Sequence, residues 1–342
     1  MSSVVTGKYY SPQEKEEDMY LTRLKSFAKS KTFTLLLLNV FVIIVFTIFT
    51  GGRFLRPLNI RNILNAMVIV SFLVIGEGLL IIYGNIDLSC GNVGTMCAIV
   101  MALVLLNENI PWFAALLISF IVGIIAGLLN ATLIVKLNFQ PFIATLAMAS
   151  VAEGLSYVFG NASSIAVENS IITFLGTYRF FNDLIPFSVI ISLAFMLIYG
   201  IILSRTKFGR MIYLCGGNRE AARLTGINPK KICYILFANM GFLSALSGSL
   251  LAARMKSATV NGITSNQFSG ITAAILGGIS FGGGAGGMLG AFFGLLLLNC
   301  FNNGMTIMGI DPFWQTVASG ILLLVALIFD YISVSRAAKR LA

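Results

Sequence analysis

The sequence predicts an all-α, polytopic membrane protein with about ten transmembrane helices. Hydrophobic residues make up 57% of its 342 residues, charged residues only 11%, and the mean hydropathy is +0.91. A soluble domain of this length has too little interior to bury so much apolar surface. Each helix that crosses a bilayer, by contrast, needs about 20 mostly apolar residues, and runs of that kind recur along the whole chain.

Apolar runs bounded by glycine, proline and polar residues place the individual helices. The predicted helices are 33–50, 63–83, 91–106, 113–135, 141–159, 186–203, 232–253, 267–281, 286–305 and 314–332. The transmembrane domain is therefore 33–332, between polar tails at 1–32 and 333–342. The first tail lacks the apolar run and cleavage site of a signal peptide, so we expect the first helix to be retained.

The basic residues indicate the orientation of these helices. With the N-terminus in the cytoplasm, the inner segments hold 17 of the 23 Lys and Arg, which is the bias that membrane insertion produces. Both termini and 204–231 are therefore predicted to be cytoplasmic, and 51–62, 161–185 and 254–266 external. The same bias explains the net charge of +10 without a nucleic-acid partner.

Two pairs of segments resemble each other within the chain. Residues 140–147 (QPFIATLA) are similar to 311–318 (DPFWQTVA), and 84–91 (GNIDLSCG) are similar to 277–284 (GGISFGGG). Duplicated halves are common in transporters. In the predicted topology the first pair lies on opposite faces but the second pair on the same face. Either the glycine match is fortuitous, or one of the short segments 91–106 and 267–281 does not fully span.

The longest inner loop, 204–231, is predicted to contain a short helix. Asn218 is a favourable N-cap, Glu220 suits the positive end of a helix, and Gly226 is a plausible stop. A helix of two turns is marginal in water, so the chain itself or a partner must hold it. Composition alone is also consistent with a basic, solvated loop.

Glu220-Ala221-Ala222, followed after three residues by Gly226, resembles the Glu-Ala-Ala-x-x-x-Gly loop of binding-protein-dependent ABC importer permeases. The Ile-x-Leu-Pro continuation of that loop is absent. Other segments are similar, in the same order, to motifs of the permeases for ribose, arabinose, xylose, galactose and autoinducer-2. These segments are 84–91, 140–146, 216–218, 222–227, 274–278 and 302–304.

The resemblance implies a subunit of an importer in a bacterial cell membrane. Its expected partners are a separate ABC ATPase, an extracellular or periplasmic sugar receptor, membrane lipid and a second permease copy, identical or paralogous. The expected substrate is a monosaccharide, while nucleosides and branched-chain amino acids remain alternatives within the wider superfamily. The residues expected to face the ATPase are Asn218, Glu220, Ala221, Ala222, Arg223 and Gly226.

The sequence indicates no catalytic role for the chain itself. It has no Gly-x-x-x-x-Gly-Lys-Ser/Thr motif, so ATP is expected to bind the partner subunit, and no cofactor is predicted. Histidine is absent, and the spacing of the five cysteines suggests neither a metal site nor a disulfide framework. An intramembrane enzyme would need a catalytic constellation, which these residues do not supply.

Polar residues within or beside the predicted spans are candidates for the transport pathway. Glu77 and Glu153 lie in spans, where ionisable groups usually face a cavity or the bundle interior; in an ion-coupled carrier, the alternative class of transporter, they would be the coupling carboxylates. Asp87 and Ser89 either contact substrate or cap the next helix. The amides expected to join helices, rather than bind sugar, are Asn39, Asn130, Asn239, Asn299 and Gln315.

Arg53, Arg56 and Arg61 form a basic cluster on the predicted outer face, where the positive-inside bias leads us to expect few basic residues. In importers of related architecture a receptor docks through acidic residues against such arginines, and arginine can hold a carboxylate bidentately. The alternative is that the side chains extend to lipid headgroups, which applies equally well to Arg61.

Overall fold

The computed structural model describes residues 31–181 and 183–339, which are mainly helical. The helices are α1 (Lys31–Phe49), α2 (Pro57–Tyr83), α3 (Cys90–Leu105), α4 (Trp112–Val135), α5 (Pro141–Phe159), α6 (Ser170–Thr177), α7 (Phe187–Arg205), α8 (Lys207–Gly217), α9 (Arg219–Leu224), α10 (Pro229–Met255), α11 (Asn266–Leu276), α12 (Met288–Ile307) and α13 (Pro312–Lys339), with a 3-10 turn at Arg53–Leu55. Four two-residue strands are β1 (Ile165–Ala166), β2 (Arg179–Phe180), β3 (Ile185–Pro186) and β4 (Ser257–Ala258).

Within the described residues, eight helices are long and apolar enough to cross a membrane: α1, α2, α4, α5, α7, α10, α12 and α13. The polytopic all-α fold is confirmed, whereas the predicted number of about ten transmembrane helices stays a prediction. The predicted helix 267–281 was wrong in length. It is the 11-residue α11, which is only about 17 Å long because two glycines, Gly277 and Gly278, follow it directly.

Helices α2 and α10 form the centre of the bundle. Each has 27 residues and is about 40 Å long. In the most apolar 18-residue stretch of α2, 94% of the residues are buried. Glycines allow α10 to lie close to its neighbours: a Cβ on Gly123 of α4 would meet the Gly241 carbonyl, and one on Gly248 would meet Gly94 of α3. Only a small share of the outlying α1 and α13 is buried.

The loops gather at two opposite ends of the bundle. We call residues 84–89, 206–228 and 277–287 the coupling end, because they include the segment that the sequence predicts to contact an ATPase. There Gly284 N donates to Ile82 O (2.8 Å). We call residues 50–56, 160–186 and 256–265 the far end. There β1 pairs with β4 and β2 with β3, both antiparallel. The two regions are opposite because α2 begins at the far end and finishes at the coupling end.

Two of the predicted membrane crossings are interrupted by non-helical segments. The helices that follow these segments, α3 and α11, contact each other near their N-terminal ends inside the bundle. The chain turns back at Gly84 before α3 begins at Cys90, and residues 256–265 precede α11. Ile263 N donates to Thr95 Oγ1 in α3 (3.1 Å), and a Cβ on Gly91 would meet the Ile263 carbonyl. With 11 residues, α11 is too short to cross a bilayer by itself, which agrees with the alternative that one of the two short segments does not fully span.

Several predicted boundaries differ from the structure. Helix α2 begins at Pro57 rather than 63, because proline is favourable in the first helical turn, and Arg61 therefore lies in a helix rather than in the loop. Helix α13 continues beyond the predicted end at 332 to Lys339. Residues 1–30 of the predicted N-terminal tail and 340–342 lie outside the described part of the chain.

Candidate functional site

The predicted short helix in 204–231 is present at the coupling end as α9, directly after the longer surface helix α8. Asn218 adopts an extended conformation between them, and its Oδ1 accepts the backbone N–H of Ala221 (2.9 Å). The N-cap prediction is thus confirmed. Gly226 lies just beyond the helix at φ +83°, a conformation that glycine adopts without strain, so the predicted stop is also confirmed.

One face of α9 is buried against its own chain and the other is exposed. Glu220, Ala221 and Arg223 are exposed, whereas Ala222 is only 2% exposed and belongs to the main core cluster. The prediction that Ala222 faces a partner was therefore wrong, because this small side chain is the one that lets α9 lie against the bundle. The exposed face instead carries Leu224, which is 88% exposed and which the motif did not indicate.

Arg219 connects α9 to the turn that follows α2. Its Nη2 donates to Asn85 Oδ1 (2.7 Å) and to Gly84 O (3.3 Å), and its guanidinium lies 4.9 Å from the centroid of the Tyr83 ring. The Tyr83 hydroxyl in turn donates to Pro229 O (3.0 Å), at the start of α10. Sequence reasoning missed this residue. The available signal was its position, because a cation in the first turn of a helix is disfavoured by the helix dipole.

A buried polar cluster fills the interruption between α2 and α3. The Glu77 carboxylate accepts the backbone N–H of Asp87 (3.4 Å), and Asp87 Oδ1 accepts both the N–H (2.8 Å) and the hydroxyl (2.5 Å) of Ser89. Asn130 of α4 donates to Ser89 Oγ (2.9 Å). The Ser89 side chain does not cap α3; Asp87 closes the preceding turn instead. Each of these four side chains is at most 2% exposed, so in this conformation they join helices rather than line an open cavity.

Glu153 lies elsewhere and has a different environment. It is exposed on α5, where Asn92 Nδ2 of α3 donates to its Oε2 (3.4 Å) and also to Ala149 O (2.9 Å). Glu77 instead bonds to the turn at Asp87 and lies near the Cys90 thiol (3.6 Å). The hydrogen bonds of the two glutamates therefore have no residue in common.

A third acidic residue in an apolar helix, Asp330 of α13, was missed. Its Oδ2 accepts the Phe281 N–H (2.9 Å) and the Ser280 hydroxyl (3.2 Å). It thereby holds the glycine-rich loop at the coupling end. The signal available from sequence was simply an Asp within the last predicted span.

The three outer arginines do not form a single cluster of equivalent groups. Arg53 and Arg56 are exposed at the far end, in and just after the 3-10 turn, and Arg53 Nε donates to Thr50 O (3.0 Å). Arg61 lies in the second turn of α2, where its Nη1 donates to Asp183 O (3.3 Å). The first two are available to a partner, and the third is bound within the chain.

In the described part of the chain, no group of three or more His, Cys, Asp or Glu side chains is arranged to hold a metal. The five cysteines are free and buried. In the surface helix α8, burial raises the pKa of the Cys215 thiol above its usual value, and the charge of Arg219 partly opposes that rise. A buried neutral thiol reacts slowly with thiol reagents.

Comparison with known proteins identifies the family. The model of the family described as branched-chain amino acid transport system / permease component matches residues 59–327. The chain belongs to this permease family. Its fold is that of a multi-pass membrane protein of ABC importers, and the family consists of transport subunits rather than enzymes.

Curated relatives cover most of the chain. The ribose import permease protein of Bacillus subtilis is 33% identical over 86% of this chain and 91% of its own length. The fructose import permease protein of Rhizobium meliloti is 29% identical over 86% and 84%. The galactose/methyl galactoside import permease protein of Escherichia coli K12 is 31% identical over 86% and 93%. No solved structure matches the chain.

Proposed function

We propose that this chain is the transmembrane subunit of an ATP-binding-cassette importer for a monosaccharide, driven by a separate ATPase that binds the ATP. The observation that carries the proposal is α9, a capped helix at the coupling end with one face buried and the other free. Relatives named as ribose, fructose and galactose import permeases support a sugar as substrate.

The exposed face of α9 is the proposed contact with the ATPase. Leu224 contributes an apolar side chain that is 88% exposed beyond the bundle, and burial of apolar surface yields about 25 cal/mol per Å². Glu220 and Arg223 flank it with charges of both signs, which suits a polar rim around an apolar contact. Ala221 completes this face, while Asn218 and Gly226 shape the helix ends.

Arg219 is the proposed link between ATPase movement and the permease interior. A displacement of α9 would act through Arg219 on Gly84 and Asn85, the first two residues of the non-helical segment between α2 and α3. The same crossing continues to Asp87 and then to α3. Movement at the coupling end would therefore reach the middle of the bundle through one short segment of chain.

At the opposite end, Arg53 and Arg56 are the proposed contact for the soluble receptor, because both are exposed there. Arg61 is a weaker candidate for this contact, because its Nη1 already donates to Asp183 O (3.3 Å). A second permease copy is the proposed neighbour of the exposed face of α5, where Glu153 would be costly against lipid.

The proposal is tested by reconstituting the chain with an ABC ATPase and a sugar receptor that co-purify with it from its own cells, and measuring uptake of D-ribose, D-fructose and D-galactose. We expect ATP-dependent uptake of at least one sugar, and its loss when Leu224→Asp prevents ATPase binding. Uptake that continues without the ATPase and collapses with the proton gradient would instead support an ion-coupled carrier using Glu77 and Glu153. Uptake of adenosine or leucine alone would support the other two substrate classes.

A further inference from the structure

An open groove of about 740 Å³ lies between the end of α4 and the start of α10, at the coupling end of the bundle. We call it the lysine groove. It is lined by Val135, Lys136, Asn138, Asn228, Lys230, Lys231 and Tyr234. Three of these residues are lysines and none is acidic, so the groove carries a formal charge of +3.

The charge of the lysine groove is not balanced by the chain itself. Lys136, Lys230 and Lys231 are exposed, and within the described ranges 31–181 and 183–339 none of them forms an ion pair. Glu220 lines the adjoining cavity together with Lys230, but the two side chains are not paired. Lys230 and Lys231 also lie in the first turn of α10, where the helix dipole adds positive charge. Three cations and a helix N-terminus therefore face one groove without a counter-ion.

The lysine groove lies at the level where two membrane-spanning helices end. Helix α4 ends at Val135 and α10 begins at Pro229, and both are long and apolar enough to cross a membrane. Apolar side chains beside the groove are exposed, Leu137 by 57% and Ile235 by 42%. Tyr234 is half-buried in the lining, and tyrosine is enriched at the boundary between hydrocarbon and headgroups. An occupant of the groove therefore meets both cations and lipid-facing apolar surface.

The polar groups of the lysine groove are mainly hydrogen-bond donors. Each lysine ammonium has three donors and no acceptor. Asn228 Oδ1 accepts the backbone N–H of Lys231 (3.2 Å), which leaves the amide N–H groups of Asn228 free. The Asn138 side chain is exposed and has no hydrogen bond in the part of the chain that the structure describes. A phosphodiester complements this set, because it carries one negative charge and its oxygens only accept.

We propose that the lysine groove binds the headgroup of an anionic phospholipid in the leaflet at the coupling end. The phosphate pairs with the three lysines, and the acyl chains cover the exposed apolar surface beside Val135. A soluble phosphate would use the ammonium groups alone and leave Leu137 and Ile235 uncovered. The same apolar flank favours a lipid over the ATPase, whose proposed contact is the exposed face of α9. Basic pockets between membrane helices are suited to anionic headgroups, and this inference does not depend on the transported solute.

The first test measures the lipid retained by the transporter with its ATPase bound. The complex is transferred into nanodiscs of POPC with a minor fraction of POPG, and native mass spectrometry counts the POPG molecules that remain on the permease. We expect the wild type to retain POPG in preference to POPC. A lysine near an anionic headgroup contributes about five-fold in affinity. The combined variant Lys136→Gln, Lys230→Gln and Lys231→Gln should therefore lower POPG retention at least ten-fold.

The matched control removes three basic residues at the same end of the bundle but outside the lysine groove. Arg205→Gln, Lys207→Gln and Arg210→Gln, at the end of α7 and in α8, are exposed positions, and their combination should change POPG retention less than two-fold. Replacing the three groove lysines by arginine keeps the charge and should preserve retention. Lys230→Gln alone should lower retention about five-fold, which keeps the inference testable if the triple glutamine variant does not insert.

The second test identifies the source of the phosphate. A ligand that binds only the folded protein raises its unfolding temperature, so thermal unfolding is followed in detergent with POPG, POPC or sn-glycerol 1-phosphate. We expect POPG to raise the unfolding temperature of the wild type and of the triple arginine variant, but not that of the triple glutamine variant. POPC and sn-glycerol 1-phosphate should have no effect.

Three results would overturn the inference. Equal POPG retention in the wild type and the triple glutamine variant, or an equal loss in the control on α7 and α8, would show that the lysine groove is not the site. Stabilisation by sn-glycerol 1-phosphate as strong as that by POPG would assign the groove to a soluble phosphate. Retention of POPG only after removal of the ATPase would assign the groove to the ATPase contact. Sugar uptake is measured separately, so each of these results leaves the proposed function intact.

Discussion

Replacing Arg219 with alanine should separate ATP hydrolysis from sugar import. The side chain joins α9 to the interrupted crossing through a 2.7 Å bond to Asn85 Oδ1, a longer bond to Gly84 O and contact with the Tyr83 ring. Its removal leaves the docking face of α9 in place, because Ala222 still holds the helix against the core. Arg219→Ala should therefore leave binding of the ATPase to α9 intact but weaken the transmission of ATPase movement to the interrupted crossing.

The magnitude follows from these contacts. A hydrogen bond to a charged group contributes about 1.5–3 kcal/mol, and an exposed cation–π contact about 0.5–1 kcal/mol. Arg219 is exposed, so solvent screening reduces the total. A remaining contribution of about 1–2 kcal/mol corresponds to roughly a five- to thirty-fold change in an equilibrium. We expect the amount of sugar imported per ATP hydrolysed to fall by that factor.

The assay measures sugar uptake and phosphate release in the same proteoliposomes, together with co-purification of the ATPase. Arg219→Lys should be intermediate, since lysine retains the charge but not the planar fork. Arg210→Ala is the matched control, because Arg210 is an exposed arginine on the neighbouring helix α8, lies outside the proposed ATPase contact and has no side-chain hydrogen bond within the described residues. An unchanged ratio in Arg219→Ala, or an equal loss in Arg210→Ala, would refute transmission through Arg219.

Three further predictions concern topology, receptor docking and packing. Arg219→Cys should react with an impermeant thiol reagent only from the cytoplasmic side; labelling from outside intact cells would reverse the orientation. Arg53→Glu combined with Arg56→Glu should slow receptor association most at low salt, and unchanged association in stopped-flow measurements would leave lipid anchoring as their role. Ala222→Trp should reduce the folded, inserted permease itself, because Ala222 is 2% exposed; normal insertion, by cell-surface quantification, with loss of ATPase binding alone would contradict that burial.

The sequence determined the class of protein, because composition and apolar periodicity reflect whether lipid or water surrounds the folded chain. They do not depend on which residues contact each other inside it. It also determined the local chemistry of α9. The Asn218 cap and the Gly226 stop are governed by neighbouring residues, and both are present in the structure. The length of α11 was not determined in this way. The apolar run across 267–281 continues past Leu276, and only the backbone turn at Gly277 and Gly278 ends the helix.

Only the tertiary structure decided which side of each helix faces the interior. The motif grouped Ala222 with its exposed neighbours, yet packing buries Ala222 and leaves Leu224 free. The same applies to Asn299, an amide that the sequence predicted to join two helices but that instead donates to Leu295 O within its own helix (2.9 Å). Sequence spacing specifies which residues share a helical face, but the contacts between distant segments decide whether that face meets protein, lipid or a cavity.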